Sequence, residues 1–424
     1  MGAMGFSARF VKLSDGERLP MLVDRAGLPH WHATLFITTQ IRNASKAPNT
    51  MLAALSAVRS LLGWADSYAI DLEKRFSSRH FLTESEIESL RAYFGSRDIQ
   101  HELNGGKVAR FPRRMESARA APMLADDRVS SATLYNRMTY AANYLEWLAV
   151  RIVEREARHV DGETLERIKA MAYSIRRRRP NKPARSLLAA RRGLSEEAQQ
   201  RLLDLIRPDS PHNPFEPEVR QRNQLIVHLL YDLGVRAGEL LALKVTDFNF
   251  EQNEVVVARR HGDANDPRTN QPVVKTMDRR LPLTNSLAAE VSHYVITERR
   301  RLHAARRHSF LLVTHQSGPF QGQPLSMKGL NKIFATIRES EPELLARLSP
   351  HVLRHTACDR FSALMDTNRV RVPEEEKMRS YLMGWKEGSG TAAVYTRRHT
   401  ANKAREASLQ LQQLRHRKKE GDNG

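Results

Sequence analysis

SPHVLRHTACDRF, residues 349–361, places a helix start directly in front of two basic side chains. Ser349 has the side chain of an N-cap, and Pro350 suits the first helical position, where a missing N–H is harmless. His351 then falls in the first turn, with Arg354 three residues on over the same face. The first N–H groups of a helix have no partner within it, and the positive end of its dipole lies there. The spot therefore favours an anion before any side chain contributes, and His351 and Arg354 add to that preference. A metal reading uses His351 and His355 at i and i+4, but the motif holds no carboxylate and Arg354 sets a fixed cation beside the ion. A third reading makes the two histidines structural. The phosphate reading accounts for the most residues.

The composition agrees with an anionic partner. Of 424 residues, 68 are Lys or Arg and 48 are Asp or Glu, which leaves a net charge of +20. Such an excess draws a chain towards polyanions, DNA or RNA above all, although ribosomal association or a cationic surface with no specific partner gives the same number. Hydrophobic residues at 41% and charged residues at 27% are ordinary for a globular protein, and the length suffices for two or three domains. The single cysteine, Cys358, rules out an intrachain disulfide and a Cys-based zinc cluster, and it fits a reducing, intracellular setting. No run approaches the roughly 18 apolar residues of a membrane span. MGAMGF lacks the basic-then-apolar layout of a signal peptide, and Phe6 stands where myristoylation needs Ser or Thr.

Upstream, residues 8–25 suggest two short strands about a turn at Asp15-Gly16. From Asn49 the apolar spacing turns helical, with Leu52, Leu55, Val58, Leu61 and Leu62 on one face. A second helix is expected over 133–156, and Trp64 and Trp147 read as core residues closing the two stripes. The basic segment between them, 101–122, reads as a loop. RRRRPNKPAR (176–185) reads as a linker rather than a packed element, either a solvated tether or a strap along a phosphate backbone through Arg176, Arg177, Arg178, Arg179 and Lys182. Beyond it, helices are expected at 193–206, 219–233, 285–304 and 326–338, and strands at 253–259, 272–283 and 310–313. The expected fold class is mainly α with a small antiparallel β-sheet.

Three further stretches hold candidate residues. In LYDLGVRAGELLALKV (230–245), Arg236 follows the helix stop Gly234, and Glu239 one turn on can orient its guanidinium. Lys275 lies in the strand-like VVKTMDRRLPL, where a lysine is most often a solubilising residue. Near the end, YLMGWKEGSGTAAVYTRRH (381–399) sets Trp385 before a glycine-rich stretch and Tyr395 beside Arg397, Arg398 and His399. Such a tyrosine is either a surface residue or a nucleophile whose pKa, about 10 when free, is lowered by neighbouring cations.

Taken in order, Arg236, Lys275, His351-x-x-Arg354, Trp385 and Tyr395 in a basic chain resemble the tyrosine recombinase (phage integrase) family. GVRAGELLAL is similar to its first-arginine box, Lys275 to its β-hairpin lysine, HVLRH to its H-x-x-R box, and MGW…Y to its closing segment. The close resemblance covers 193–400, while 45–175 is similar only in character to the family's helical core-binding domain. The chain then divides into an N-terminal extension (1–44), either an arm-site module or a packed β-hairpin, a helical core-binding domain (45–175), a basic linker (176–192), an α+β catalytic domain (193–400) and a tail (401–424) that the resemblance sets against another protomer.

The resemblance implies a site-specific recombinase, in which Tyr395 attacks a DNA phosphodiester to leave a 3′-phosphotyrosyl link and a free 5′-hydroxyl. Arg236 and Arg354 would hold the nonbridging oxygens, Lys275 would protonate the departing 5′-oxygen, and His351 would assist at the tyrosine. Trp385 would brace the pocket, with Glu239 and His355 in support. Neither ATP nor metal nor any other cofactor is implied. The implied partners are duplex DNA clamped between the two domains, a homo-tetrameric synapse and accessory DNA-bending or partner recombinase proteins, with no membrane. The implied location is the bacterial cytoplasm at the nucleoid. Two features depart from the family: the Trp385–Tyr395 interval is a residue longer than usual, and TNRVRVPEEEKMRS (367–380) extends the stretch after Arg354. Tyr381 is the nearby rival, and it reads as a core residue. The same boxes also suit a type IB topoisomerase, or an inactive DNA-binding accessory protein.

Overall fold

The structure, a computed structural model, describes residues 5–14, 17–44, 48–96, 128–157, 159–181, 193–260, 263, 265–272, 274, 276–388, 390, 392, 400, 403–405 and 407–412. The chain divides into two compact units, Met1–Ala184 and Arg185–Gly424.

In the first unit, β1 (Ser7–Lys12) and β2 (Arg18–Val23) pair antiparallel, with Ser7 opposite Val23 and Lys12 opposite Arg18. The expected turn residues Asp15 and Gly16 lie outside the described residues. β2 buries Leu19, Leu22 and Val23, and α1 (Trp31–Phe36) buries Ala33 and Phe36 and runs into a π-helical turn, Ile37–Arg42. Apart from Val23, these apolar groups share one core with α2 (Pro48–Ser67), whose Met51, Leu55, Val58, Leu61 and Trp64 recur at helical spacing. The hairpin is thus part of the helical unit. α3 (Leu72–Ser77) starts on the Asp71 cap, and α4 (Glu84–Gly95) on a reciprocal capping box between Thr83 and Glu86. α5 (Ser131–Ala157) and α6 (Gly162–Arg177) complete the layer, α6 starting on the Asp161 side chain.

The linker reading of residues 176–179 needs correction, because Arg176 and Arg177 end α6 and Arg176, Arg178 and Arg179 spend donors inside the unit. Arg176 binds Glu146 and Asn143 on α5 at 2.5 and 2.9 Å. Arg178 pairs with Glu88 at 2.5 Å and with Glu84. Arg179 reaches Thr139 at 3.2 Å and lies 4.7 Å over the Tyr135 ring. Arg177 is exposed, and Lys182 lies outside the described residues. A run of like charge reads as a tether only while its carboxylates, distant in sequence, go unseen.

The second unit begins with α7 (Glu196–Leu205), α8 (Pro217–Leu233) and the short α9 (Ala237–Ala242). A three-stranded antiparallel sheet follows in the order β3 (Phe248–Asn249), β4 (Glu254–Val257), β5 (Arg279–Pro282), with Val255 opposite Leu281. Then come α10 (Asn285–Thr297), α11 (Met327–Ser340), α12 (Pro350–Thr367) and α13 (Val372–Met383). Leu225, Leu229 and Leu230 of α8, Val291 and Tyr294 of α10, Phe334 and Ile337 of α11 and Leu353 of α12 fill its core. The expected strand over 272–283 shortens to Arg279–Pro282, and 310–313 contributes only isolated bridges, Phe310 with Lys244 and Val313 with Pro324. The expected helix over 285–304 ends at Thr297 and continues as 3-10 turns. The stretch 367–380 is mostly α13, with Pro373 in its first turn. The fold is mainly helical, with two small antiparallel sheets.

Candidate active site

α8 stops at Gly234, whose φ of 58° lies in the left-handed region that favours glycine. The chain turns there and restarts at Arg236, the N-cap of α9. The Arg236 N–H donates to Glu239 Oε2 at 2.9 Å, and its half-exposed guanidinium lies 3.4 Å from Glu239 Oε1. Glu239 itself is buried and accepts from Arg279 Nη2 at 2.8 Å and from the Thr276 hydroxyl. Burial pushes the Glu239 carboxyl up, but Arg279, Thr276 and the Arg236 N–H outweigh it and hold the pKa below the ordinary glutamate value. From the sequence, Glu239 is expected to orient Arg236 alone. It serves three, for Arg354 Nη1 is 4.0 Å away.

α12 begins as expected: Ser349 Oγ accepts from the Val352 N–H at 3.2 Å, and Pro350 occupies the first turn. Arg354 is 1% exposed. Its Nη1 donates to Gly234 O at 2.6 Å and its Nη2 to Met383 O at 2.8 Å, so one planar fork ties together the ends of α8 and α13. Its guanidinium lies 5.3 Å from the Trp385 ring. Burial, then repulsion from Arg236, pushes its pKa down to about 10, which leaves it a cation at neutral pH. His351 is exposed on the first turn, and its ring meets the buried His355 edge-on at 4.4 Å.

α13 stops at Gly384, again left-handed with φ 63°. A Cβ there would lie 2.6 Å from Arg279 Nη1. The Gly384 carbonyl accepts from the Met277 N–H at 3.1 Å, and Arg279 Nε donates to Leu382 O at 2.7 Å. Four stretches distant in sequence are thereby tied together: 234–239, 276–279, 351–355 and 382–385.

The structure thus brings Arg236, Glu239, Arg354 and Trp385 together, with His351 and His355 on the helix that carries Arg354. Lys275 and Tyr395 lie outside the described residues. Tyr381, expected in the core, is 59% exposed, its hydroxyl 3.5 Å from Arg280 O. On α13 the residues facing inward are Glu375, Arg379, Ser380 and Met383, which turns position 381 outward. Arg279 and Thr276, which no motif in the sequence singles out, complete the cluster. The signal for Arg279 was strand alternation, since Leu281 faces inward and a period of two puts Arg279 on the same face. Three guanidinium groups share one carboxylate here, and the excess of positive charge suits an anion.

Residues 194–402 match the model of the phage integrase family. Arg236, Lys275, His351, Arg354, Trp385 and Tyr395 all fall within that span. The tyrosine recombinase XerA of Pyrococcus furiosus is 29% identical over 202 residues, 45% of this chain and 62% of the relative. Tyrosine recombinase XerC of Roseiflexus castenholzii is 30% identical over 168 residues, 39% of this chain and 45% of the relative. The chain therefore spans less than two thirds of the length of either relative. Among solved structures, a fragment of the Tn1549 transposon integrase in complex with transposon right end DNA superposes with a TM-score of 0.46, at 14% identity over 90% of this chain and 99% of that one.

Proposed function

We propose, from the premise that residues 194–402 belong to the phage integrase family, that this chain breaks and rejoins duplex DNA as a site-specific tyrosine recombinase. The observation that carries the reading is the meeting of Arg236 and Arg354, close enough to repel each other, around one buried carboxylate. A phosphodiester at that point supplies the missing negative charge. Arg236, half exposed, binds one nonbridging oxygen, and Arg354 holds the pocket's rear wall and takes the second. Both gain strength as charge accumulates on these oxygens in the transition state.

In the step itself, the Tyr395 oxygen forms a bond to phosphorus while the bond from phosphorus to the 5′-oxygen breaks. His351 takes the phenolic proton, and Lys275 delivers a proton to the departing 5′-oxygen. Trp385 braces the Arg354 guanidinium. The phosphotyrosyl ester keeps the energy of the original ester, so a 5′-hydroxyl from another strand reverses the step without ATP or metal. Four protomers on two DNA sites form the working assembly, located with the DNA of the nucleoid.

The test is incubation with a nicked suicide duplex, in which the released 5′ fragment diffuses away and traps the covalent intermediate. Wild-type protein is expected to accumulate an adduct on its 3′-phosphate side, and Tyr395→Phe none. No adduct with either protein, alongside normal DNA binding, overturns catalysis in favour of an accessory role. Relaxation of supercoiled plasmids without a defined target turns the reading to a topoisomerase.

A further inference from the structure

Arg379, in the last turns of α13, has no part in the cluster around Glu239, yet its side chain is wholly buried. Its Nη2 donates to Ser362 Oγ on α12 at 2.6 Å, and it pairs with Glu375 one turn earlier on its own helix. Its Nη1 donates to the Ala392 carbonyl at 3.4 Å, and the guanidinium lies 5.5 Å from the Phe361 ring. Burying such a pair is poor value as stabilisation, because desolvation consumes most of the attraction and apolar replacements are often neutral. What an arginine offers that a leucine does not is a rigid fork with several donors of fixed direction.

The directions are informative. Ser362 belongs to the helix that carries His351 and Arg354, and Arg379 belongs to the helix that ends just before Trp385. Ala392 is itself buried, packed with Ala357, Cys358, Met383 and Trp385. Trp385 in turn faces the Arg354 guanidinium. Tyr395 follows Ala392 by three residues, a length of chain that spans at most about 11 Å.

We propose that Arg379 is a positioning residue, which fixes the Ala392 carbonyl against α12 and α13 and so anchors the chain three residues before Tyr395. The consequence is delivery of the phenol to the arginine pair of its own subunit. The inference rests on the assignment of Tyr395 as nucleophile.

The test compares full-length wild type with Arg379→Lys and with the double variant Glu375→Leu/Arg379→Leu, which replaces the buried pair by apolar side chains. Four quantities are read: melting temperature, duplex affinity, rate of adduct formation on the suicide substrate, and amide hydrogen exchange across 386–400. The double variant is expected to melt and bind near the wild-type values, yet to form adduct about 100-fold more slowly, as expected when a reacting group is misplaced by about an ångström. Its amides across 386–400 are expected to exchange faster. Arg379→Lys, which keeps the charge but loses the fork, is expected to fold and to fall between the two. A folded double variant with the wild-type adduct rate and unchanged exchange overturns the proposal, as does a folded Arg379→Lys with wild-type values if the double variant does not fold. Failure of the wild type to form any adduct sinks the nucleophile assignment instead, and unchanged exchange then separately refutes the anchor.

Discussion

Glu239 meets three guanidinium groups, and its replacement separates charge from shape. Glu239→Gln keeps an oxygen for the Arg236 N–H but leaves Arg279 buried beside no negative charge. Removing one partner of a buried pair costs about 3–5 kcal/mol, and chemical denaturation is expected to register a loss of that order. The pH dependence has a definite sign. With its folded pKa below the ordinary value, Glu239 contributes stability that is full above the pKa of the unfolded chain and is lost as pH falls through the folded value. Wild type is therefore expected to lose this part of its stability on acidification below about pH 4.5, and Glu239→Gln to lack that component of the slope. Arg354→Lys is a second residue-scale test. A lysine keeps the charge but cannot reach both the Gly234 and Met383 carbonyls, so adduct formation is expected to slow by about 100- to 1000-fold. Retention of the wild-type rate would remove Arg354 from the phosphate site.

At the scale of elements, two left-handed helix stops place the cluster: Gly234 hands the chain to Arg236, and Gly384 hands it to Trp385. Gly384→Ala is expected to cost at least about 1–2 kcal/mol for the backbone conformation alone. It costs more where the new Cβ displaces Arg279, and melting curves with suicide-substrate rates should fall together. A variant that melts lower but cleaves normally would disconnect this turn from the site. Much of this was legible beforehand. The Ser349-Pro350 start of α12 and the Gly234 stop of α8 are local signals, carried by side chains a few residues apart. α13 was harder to read, because buried Glu375 and Arg379 spoil the apolar stripe that marks a helix. Arg176 to Arg179 read as a linker, whether tether or strap, for a related reason, since the glutamates that hold Arg176 and Arg178 come from residues 84, 88 and 146. Arg279 was missed because one inward arginine on a four-residue strand carries no composition signal.

At the scale of the whole molecule, the net charge of +20 fits the proposed binding of DNA chiefly through phosphates. Duplex affinity is expected to fall by about 10³ to 10⁵ between 50 and 200 mM salt if six to ten phosphates are contacted, and a flat salt titration would argue against that mode. The anchoring of Ala392 in its own subunit makes a further demand on the assembly. Mixtures of Tyr395→Phe with Arg354→Lys are expected to form no more adduct than Arg354→Lys alone, whereas recovery on mixing would place the tyrosine in a neighbour's site. The most direct measurement is the structure of Tyr395→Phe bound to an uncleaved target duplex. The expected result has nitrogens of Arg236 and Arg354 within about 3 Å of the nonbridging oxygens of a single phosphate, with the substituted ring at position 395 facing it in line with the 5′-oxygen. Guanidinium groups on two different phosphates, or a ring turned away from both in every subunit, would contradict the account.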